Sequence, residues 1–308
     1  MIDIKSEITF IGAGKAASSI IKSFCKSKLN VTTIISRNIK SAKKIASAYS
    51  LKNYSDRIED IPKTSKIIFL TVPDDKIAET AEQIVSNRFS FKDKLFVHIS
   101  GTHNSSLLSA LQAKEAITAS FHIMFTFPSR LPVNFRGCYA AVETDSEKAR
   151  KILFQLAETI GLKPFELKKD EKVFYHISGV AASNFLSGIL FSAEKSAINA
   201  NISTQDYYAL LEPIILGTLK NIKKNGAAAS VSGPIDRGDL QTIISHLKVL
   251  KKKSTPKTRY ANILLLNYIA NSLTLLEAVE EKYGSLTGEH KKIKSLLIKS
   301  LNELSSGL

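Results

Sequence analysis

Close to its start the chain runs Ile8-Thr9-Phe10-Ile11-Gly12-Ala13-Gly14-Lys15-Ala16-Ala17, and no other stretch restricts the fold as much. A short, β-branched apolar run ends in Gly-x-Gly-x-x-Ala and passes into Ser18-Ser19-Ile20-Ile21-Lys22-Ser23-Phe24, which has helical spacing. Strand, tight turn and helix in that order hold a dinucleotide pyrophosphate against a helix N-terminus. Gly12 lets the chain turn sharply, and Gly14 lets the backbone approach phosphates with no Cβ in the way. Ala17 takes the third place, where a small residue lets helix and strand pack closely. The backbone around Ala13, Lys15 and Ala16 then presents first-turn N–H groups and the positive end of the helix dipole to an anion. The same pattern also suits an ordinary strand-to-helix turn, so the residues that follow decide between the two.

Val31-Thr32-Thr33-Ile34-Ile35 reads as the second strand. An NAD site has Asp or Glu near the end of this strand, about 20 residues after the glycines, to bind the ribose 2′-OH. Here the strand ends in Ser36-Arg37-Asn38. The acid is missing, and Arg37 stands where a 2′-phosphate would lie, with Ser36 and Asn38 able to add hydrogen bonds. This favours NADP over NAD; the alternative is a solvated arginine followed by a helix cap. Residues 39–49 read as a helix and residues 51–54 as a short third strand. The apolar run from Lys66 stops at Thr71-Val72-Pro73, its carboxyl end directed at the cofactor, and Asp74 or Asp75 is expected to cap a helix over residues 76–85 rather than serve catalysis.

Further strands are expected over residues 94–99, 116–121, 138–143 and 163–167, with Ser100-Gly101 in the loop after the first of these. A helix opening at Ser105 or Ser106 and an amphipathic helix over residues 146–160 lie between them. Strands that alternate with helices to about residue 168 predict one doubly wound α/β domain over residues 1–168. Beyond it the texture changes. Helical spacing over residues 175–200, 204–223, 239–250, 259–283 and 290–304 makes residues 169–308 an all-α domain, with residues 251–256 as a solvated connector.

Composition narrows the function. A net charge of +15 suits anionic partners, but the lysines are scattered and no zinc-finger, recognition-helix or aromatic-basic pattern accompanies them, so nucleic acid is not expected as a partner. Cys25 and Cys138 lie far apart with no CxxC spacing, which predicts neither disulfide nor metal site. No basic region followed by a long apolar run opens the chain, and no apolar run approaches the roughly 20 residues that cross a bilayer. A cytoplasmic protein without a membrane partner is expected.

Five pieces carry a resemblance: Gly12-Ala13-Gly14-Lys15-Ala16-Ala17, Thr71-Val72-Pro73-Asp74-Asp75, His98-Ile99-Ser100-Gly101, His122 with Thr126-Phe127-Pro128, and Ser232-Gly233-Pro234-Ile235-Asp236-Arg237-Gly238-Asp239. With them the chain resembles the two-domain, 6-phosphogluconate-dehydrogenase-like reductases, a group that includes pyrroline-5-carboxylate reductase and deazaflavin-dependent NADP oxidoreductases. It looks most like the branch called Rossmann-like oxidoreductases with a helical domain of unknown function. The resemblance implies an N-terminal Rossmann domain with a mostly parallel sheet, an all-α C-terminal domain that forms a homodimer, and an NADP-dependent oxidoreductase acting on a small-molecule substrate. Such proteins usually carry Pro after the histidine, where this chain has Ile123, and the serine-proline-glycine-glycine-threonine signature of pyrroline-5-carboxylate reductase is missing.

Hydride transfer is the cofactor's chemistry, while the protein orients the substrate and exchanges a proton. His98, His122, Tyr175 and His176 are able to do so, and His122 comes first because it follows a strand expected to end at the cleft; a histidine with pKa near neutrality suits the task. Each of these residues also has a structural reading. Asn184 is a polar residue in an apolar helix and must find a partner, either ligand or neighbouring helix. Arg237 could clamp an anionic substrate or be braced by Asp236 and Asp239. The substrate is a small, anionic carbonyl, imine or alcohol on this reading. The alternatives are a cofactor-binding regulator without turnover, a prephenate-dehydrogenase-like enzyme and a nucleic-acid-binding protein.

Overall fold

The computed structural model describes residues 2–87, 89–253 and 259–305. The chain divides into two compact units, Met1–Asn184 and Phe185–Leu308. The change of texture in the sequence comes at residue 168, where strands end, and the units divide further on because the next helix packs in the first unit.

In the first unit β1 (Ile8–Ile11), β2 (Val31–Ile35), β3 (Asn53–Ser55), β4 (Ile67–Leu70), β5 (Leu95–His98), β6 (Ile117–Ile123), β7 (Tyr139–Glu143) and β8 (Lys163–Glu166) form one sheet in the order 3-2-1-4-5-6-7-8. All neighbours are parallel except β6 and β7, where Ile123 faces Ala140 in an antiparallel pair. Every residue of β1, β2, β4 and β5 is buried, as expected of parallel strands covered on both faces. The cover consists of α1 (Lys15–Lys26), α2 (Ile39–Tyr49), α3 (Ile77–Val85), α4 (Ser109–Gln112) and α5 (Glu147–Thr159).

One face carries Phe10, Phe24, Phe69 and Phe121, with Phe10 stacked on Phe69 at 5.1 Å between ring centres. The other buries Ile68, Leu70 and Phe96 against Ile77, Ala81 and Ile84 of α3 and Leu111 of α4. Each such side chain contributes about 1.5–3 kcal/mol on burial, so both sheet faces are strongly held.

Two caps differ from expectation. Pro73, with no side-chain acceptor, precedes a 3₁₀ turn at Asp74–Lys76, and neither Asp74 nor Asp75 caps α3. Asp74 is occupied elsewhere, as described below. The helical turn Ser105–Leu108 is capped by Asn104, whose Oδ1 accepts the Ser106 N–H at 3.1 Å, not by either serine. The first unit continues through α6 (Lys172–Gly179) and ends within a π-helical turn, Val180–Phe185, which runs on into α7 (Leu186–Asn199). These form one uninterrupted helical stretch where a single helix over residues 175–200 was expected.

The second unit holds α7, α8 (Thr204–Asn225), α9 (Leu240–Lys253), α10 (Arg259–Tyr283) and α11 (Gly288–Ser305). Its core joins Ile243 and Leu247 of α9, Leu265, Ile269, Leu276 and Val279 of α10, and Ile293 and Leu297 of α11. Of the expected connector, Lys251, Lys252 and Lys253 complete α9, and residues 254–256 lie outside the described residues.

The expectation about apolar length also needs correction. Lys169–Asn199 and Tyr260–Tyr283 are long and apolar enough to cross a membrane by length and composition, each with a mean hydropathy of 1.3 over 18 residues. Uninterrupted apolar runs are short in both, but Ala, Ser and Gly between the large residues keep the average high. In the second of these, a third of that window is buried in the helical core.

Candidate functional site

β1, β2 and β4 end side by side where the strand order reverses, which is where open α/β sheets bind ligands. The loops after them enclose a cleft of about 560 Å³, within the range of small-molecule sites. Its walls include Gly12, Ala13 and Gly14, then Ser36, Arg37 and Asn38, then Thr71, Val72 and Pro73. The backbone at Gly12 has φ +106°, and a Cβ there would lie 2.6 Å from the Thr71 carbonyl oxygen, so only glycine fits. Thr71 ties the strand ends together: its N–H donates to the Ile11 carbonyl at 2.7 Å, and its hydroxyl lies 2.8 Å from the Gly12 carbonyl oxygen.

Gly14 is different. A Cβ there would meet nothing nearer than Thr71 O at 3.8 Å, so the space beside the backbone is open on the side a phosphate would approach. Gly14 caps α1 with no side-chain bond, and the first turn, with exposed Lys15 and half-buried Ala16, holds no acidic residue. The first N–H groups of α1 and its positive dipole end are therefore left unneutralised. An open glycine cradle before an uncapped helix fits a dinucleotide pyrophosphate.

At the end of β2 both readings of Ser36-Arg37-Asn38 find a place. Asn38 Oδ1 accepts the Ser41 N–H at 3.1 Å and caps α2, while Arg37 is exposed and forms no ion pair among the described residues. The cleft also takes in Ser41, Asp56, Lys76 and Arg130, which sequence reasoning missed. Lys76 is paired with Glu79 at 3.0 Å. Arg130 arrives from the connection between β6 and β7 and donates to Ser41 Oγ at 3.3 Å. No local signal marks an arginine brought in by the chain's return.

A second group of polar side chains gathers past the ends of β4, β5 and β6. Ser100 Oγ donates to Asp74 Oδ2 at 2.6 Å and accepts the N–H groups of Thr102 and His103. The Ser100 N–H in turn donates to Nδ1 of the buried His98. Ser100 and Gly101, singled out as cofactor ligands, thus build this group and are not among the residues that line the cleft. A Cβ on Gly101 would lie 2.9 Å from His122 Nε2 and 3.0 Å from His176 Nδ1, so the missing side chain makes room for two imidazoles. His122 Nδ1 is 2.9 Å from the Tyr175 hydroxyl. Below them Lys172 is almost fully buried and donates to Ser120 Oγ at 2.7 Å and to the Ser100 carbonyl at 3.1 Å.

The charges here are displaced from their ordinary behaviour. Burial, helped by Lys172 and His176, pushes the His122 pKa down to about 4, and burial does the same to His98. His122 is therefore uncharged near neutral pH, contrary to the near-neutral pKa expected of it. Burial raises the Tyr175 hydroxyl to about 12. Burial also lowers Lys172 to about 8, partly opposed by Glu143 and Asp74. The group offers a tyrosine hydroxyl against a neutral imidazole, with a lysine close to its proton-exchange range beside the same loop. Lys172 was missed because it follows Lys168-Lys169-Asp170-Glu171, a run that reads as a solvated helix start.

Asn184 does not occupy the buried setting expected of it. It is exposed on the π-helical turn, because the apolar stretch around it turns most of its surface outward. Arg237, in the second unit, is exposed and forms no ion pair among the described residues, although its charge acts on Asp239. Asp236 pairs with Lys282 at 2.8 Å, and Asp239 caps α9 by accepting the Thr242 N–H at 3.0 Å. Among the described residues no group of three or more His, Cys, Asp or Glu side chains is arranged to hold a metal ion.

Comparison with known proteins agrees with this geometry. Residues 7–102 match the family described as NADP oxidoreductase, coenzyme F420-dependent, and residues 138–265 match a domain of unknown function, DUF2520. No curated protein matches the chain significantly. A candidate NADP oxidoreductase from Bacteroides fragilis has a similar structure (TM-score 0.71, 19% identity, 88% of this chain and 98% of that one). So has a reductive aminase from Aspergillus terreus in complex with NADPH and ethyl-5-oxohexanoate (TM-score 0.57, 12% identity, 97% and 94%). A pyrroline-5-carboxylate reductase from Coxiella burnetii is also similar (TM-score 0.54, 14% identity, 95% and 98%). At these identities the likeness is one of fold. The chain thus carries a match to the coenzyme F420-dependent NADP oxidoreductase family over residues 7–102 and a match to DUF2520 over residues 138–265.

Proposed function

We propose that this protein is an NADP-dependent oxidoreductase that transfers a hydride between nicotinamide and a small, anionic carbonyl, imine or alcohol substrate. One observation carries this reading: a glycine cradle left open at Gly14 shares its cleft with Arg37, which forms no ion pair among the described residues, at the strand end where an NAD site would have an acid. The family matched by residues 7–102 supports it. Bound nicotinamide supplies or accepts the hydride. The backbone of Gly12, Ala13 and Gly14 and the first turn of α1 hold the pyrophosphate, and Ser36, Arg37 and Asn38 meet the 2′-phosphate. Tyr175, 2.9 Å from His122, exchanges the proton, and the uncharged His122 orients its hydroxyl.

A homodimer through the helical unit belongs to the same reading. Phe191 and Ile198 on α7 and Ile214, Leu216 and Leu219 on α8 support it, since these are among the large apolar side chains that stand exposed there.

The test is a titration of the purified protein with NADPH and NADH, repeated on Arg37→Ala and Gly14→Val. NADPH binds more tightly, falls toward the NADH value in Arg37→Ala and is lost in Gly14→Val. If neither nucleotide binds the wild type, the oxidoreductase reading is wrong. Binding without turnover of any carbonyl, imine or alcohol in a substrate screen favours a regulator that senses NADP(H).

A further inference from the structure

The connection between β6 and β7, residues 124–138, is anchored on both sides of its middle, and its middle reaches the cofactor cleft. Phe135 is buried in the core of the first unit, and its ring meets Phe127 at 6.1 Å between centres. The Val133 N–H donates to Ser19 Oγ on α1 at 3.1 Å, which ties the connection to the helix that begins at the glycine cradle. Three residues before that tie, Arg130 enters the cleft and donates to Ser41 Oγ on the first turn of α2.

The cleft therefore gathers two guanidinium groups, Arg37 and Arg130, around Ser36, Asn38 and Ser41. Neither arginine forms an ion pair among the described residues. The carboxylates that share the cleft are Asp56 and Glu79, and Glu79 is already held by Lys76. Two unneutralised forks and a set of small hydroxyl and amide groups match a dianion with several acceptor oxygens.

We infer that Arg130 is a second determinant of cofactor choice, a guanidinium delivered by the 124–138 connection to the part of the cleft lined by Ser41, which also takes in Arg37. The inference rests on the NADP reading proposed above. Its chemistry is separable from that of Arg37: the β2 end presents one fork from the sheet, and Arg130 presents another from the connection between β6 and β7, bonded to Ser41 Oγ. A charge-assisted hydrogen bond of this kind changes affinity by about 10-fold or more.

The experiment uses the full chain and calorimetric titration with 2′,5′-ADP and 5′-AMP, which differ only in the 2′-phosphate. Wild type, Arg130→Ala, Arg130→Lys and Arg37→Ala are compared, with circular dichroism to confirm the fold of each. Arg130→Ala loses about 10-fold in affinity for 2′,5′-ADP and is unchanged toward 5′-AMP. Arg130→Lys recovers part of the loss, since it restores the charge but not the fork. If Arg130→Ala binds 2′,5′-ADP as the wild type does while Arg37→Ala is weakened, the role of Arg130 is disproved and the NADP reading stands. If the wild type itself does not distinguish 2′,5′-ADP from 5′-AMP, the NADP reading fails and takes this inference with it.

Discussion

Gly12 and Gly14 stand two residues apart and answer to different demands. Gly12 combines a positive φ with a carbonyl oxygen where a Cβ would go, so Gly12→Ala is expected to lower stability by about 2 kcal/mol or more. Gly14 has ordinary dihedrals and open space beside it. Gly14→Val should cost about 1 kcal/mol, the price of a poor helix cap, yet abolish nucleotide binding. Urea melts of the two variants, read beside nucleotide titrations, check both statements; equal losses of stability would contradict them. The glycine pattern was legible in the sequence, but which glycine serves the fold and which the ligand was not. That distinction depends on Thr71, a residue about 60 positions away in the chain that β4 brings alongside (Thr71 bonds to Ile11 with a separation of 60).

Strands and helices were easier to read than their partners. β2 and α2 fall where their β-branched and apolar spacing places them, because buried parallel strands are nearly continuous in apolar residues. The polar group around His122 was only half legible. His122, Tyr175 and His176 stand out as titratable residues, but Lys172 and Asp74 come together only when α6 and the end of β4 meet the loop after β5. This junction of elements has a consequence for stability. His98 and His122 have pKa values near 4 in the fold and about 6.5 in an unfolded chain. Between those values the unfolded state binds more protons, so stability rises with pH there and falls as pH drops from about 6.5 toward 4. At pH 5 each histidine accounts for a loss on the order of 2 kcal/mol. Urea midpoints measured at pH 7 and pH 5 should show that loss, and His98→Gln should show less of it. A pH-independent midpoint over this range would show that the histidines are not held uncharged.

At the scale of the whole chain, the two units bury their apolar residues differently. The first unit has a sheet covered on both faces, and the second has a core confined to α9, α10 and α11 with part of Ser232–Asp239 against it. The faces of α7 and α8 left exposed lead to a concrete expectation: sedimentation at micromolar concentration should give a dimer, and replacing Ile214 and Leu219 together by Lys should give a monomer. A monomeric wild type would rule out the proposed homodimer. Asn184 shows why this was hard to read from composition, since an apolar helix suggests a core whether its partners lie within the chain or outside it. The reversal of β7 has a different kind of consequence. Because β7 runs against β6, the connection between them turns back at the nucleotide end of the sheet, and it is a surface connection that tolerates substitution and insertion. On the role proposed for Arg130, edits around that residue would alter nucleotide preference while the pairing of the eight strands stays unchanged.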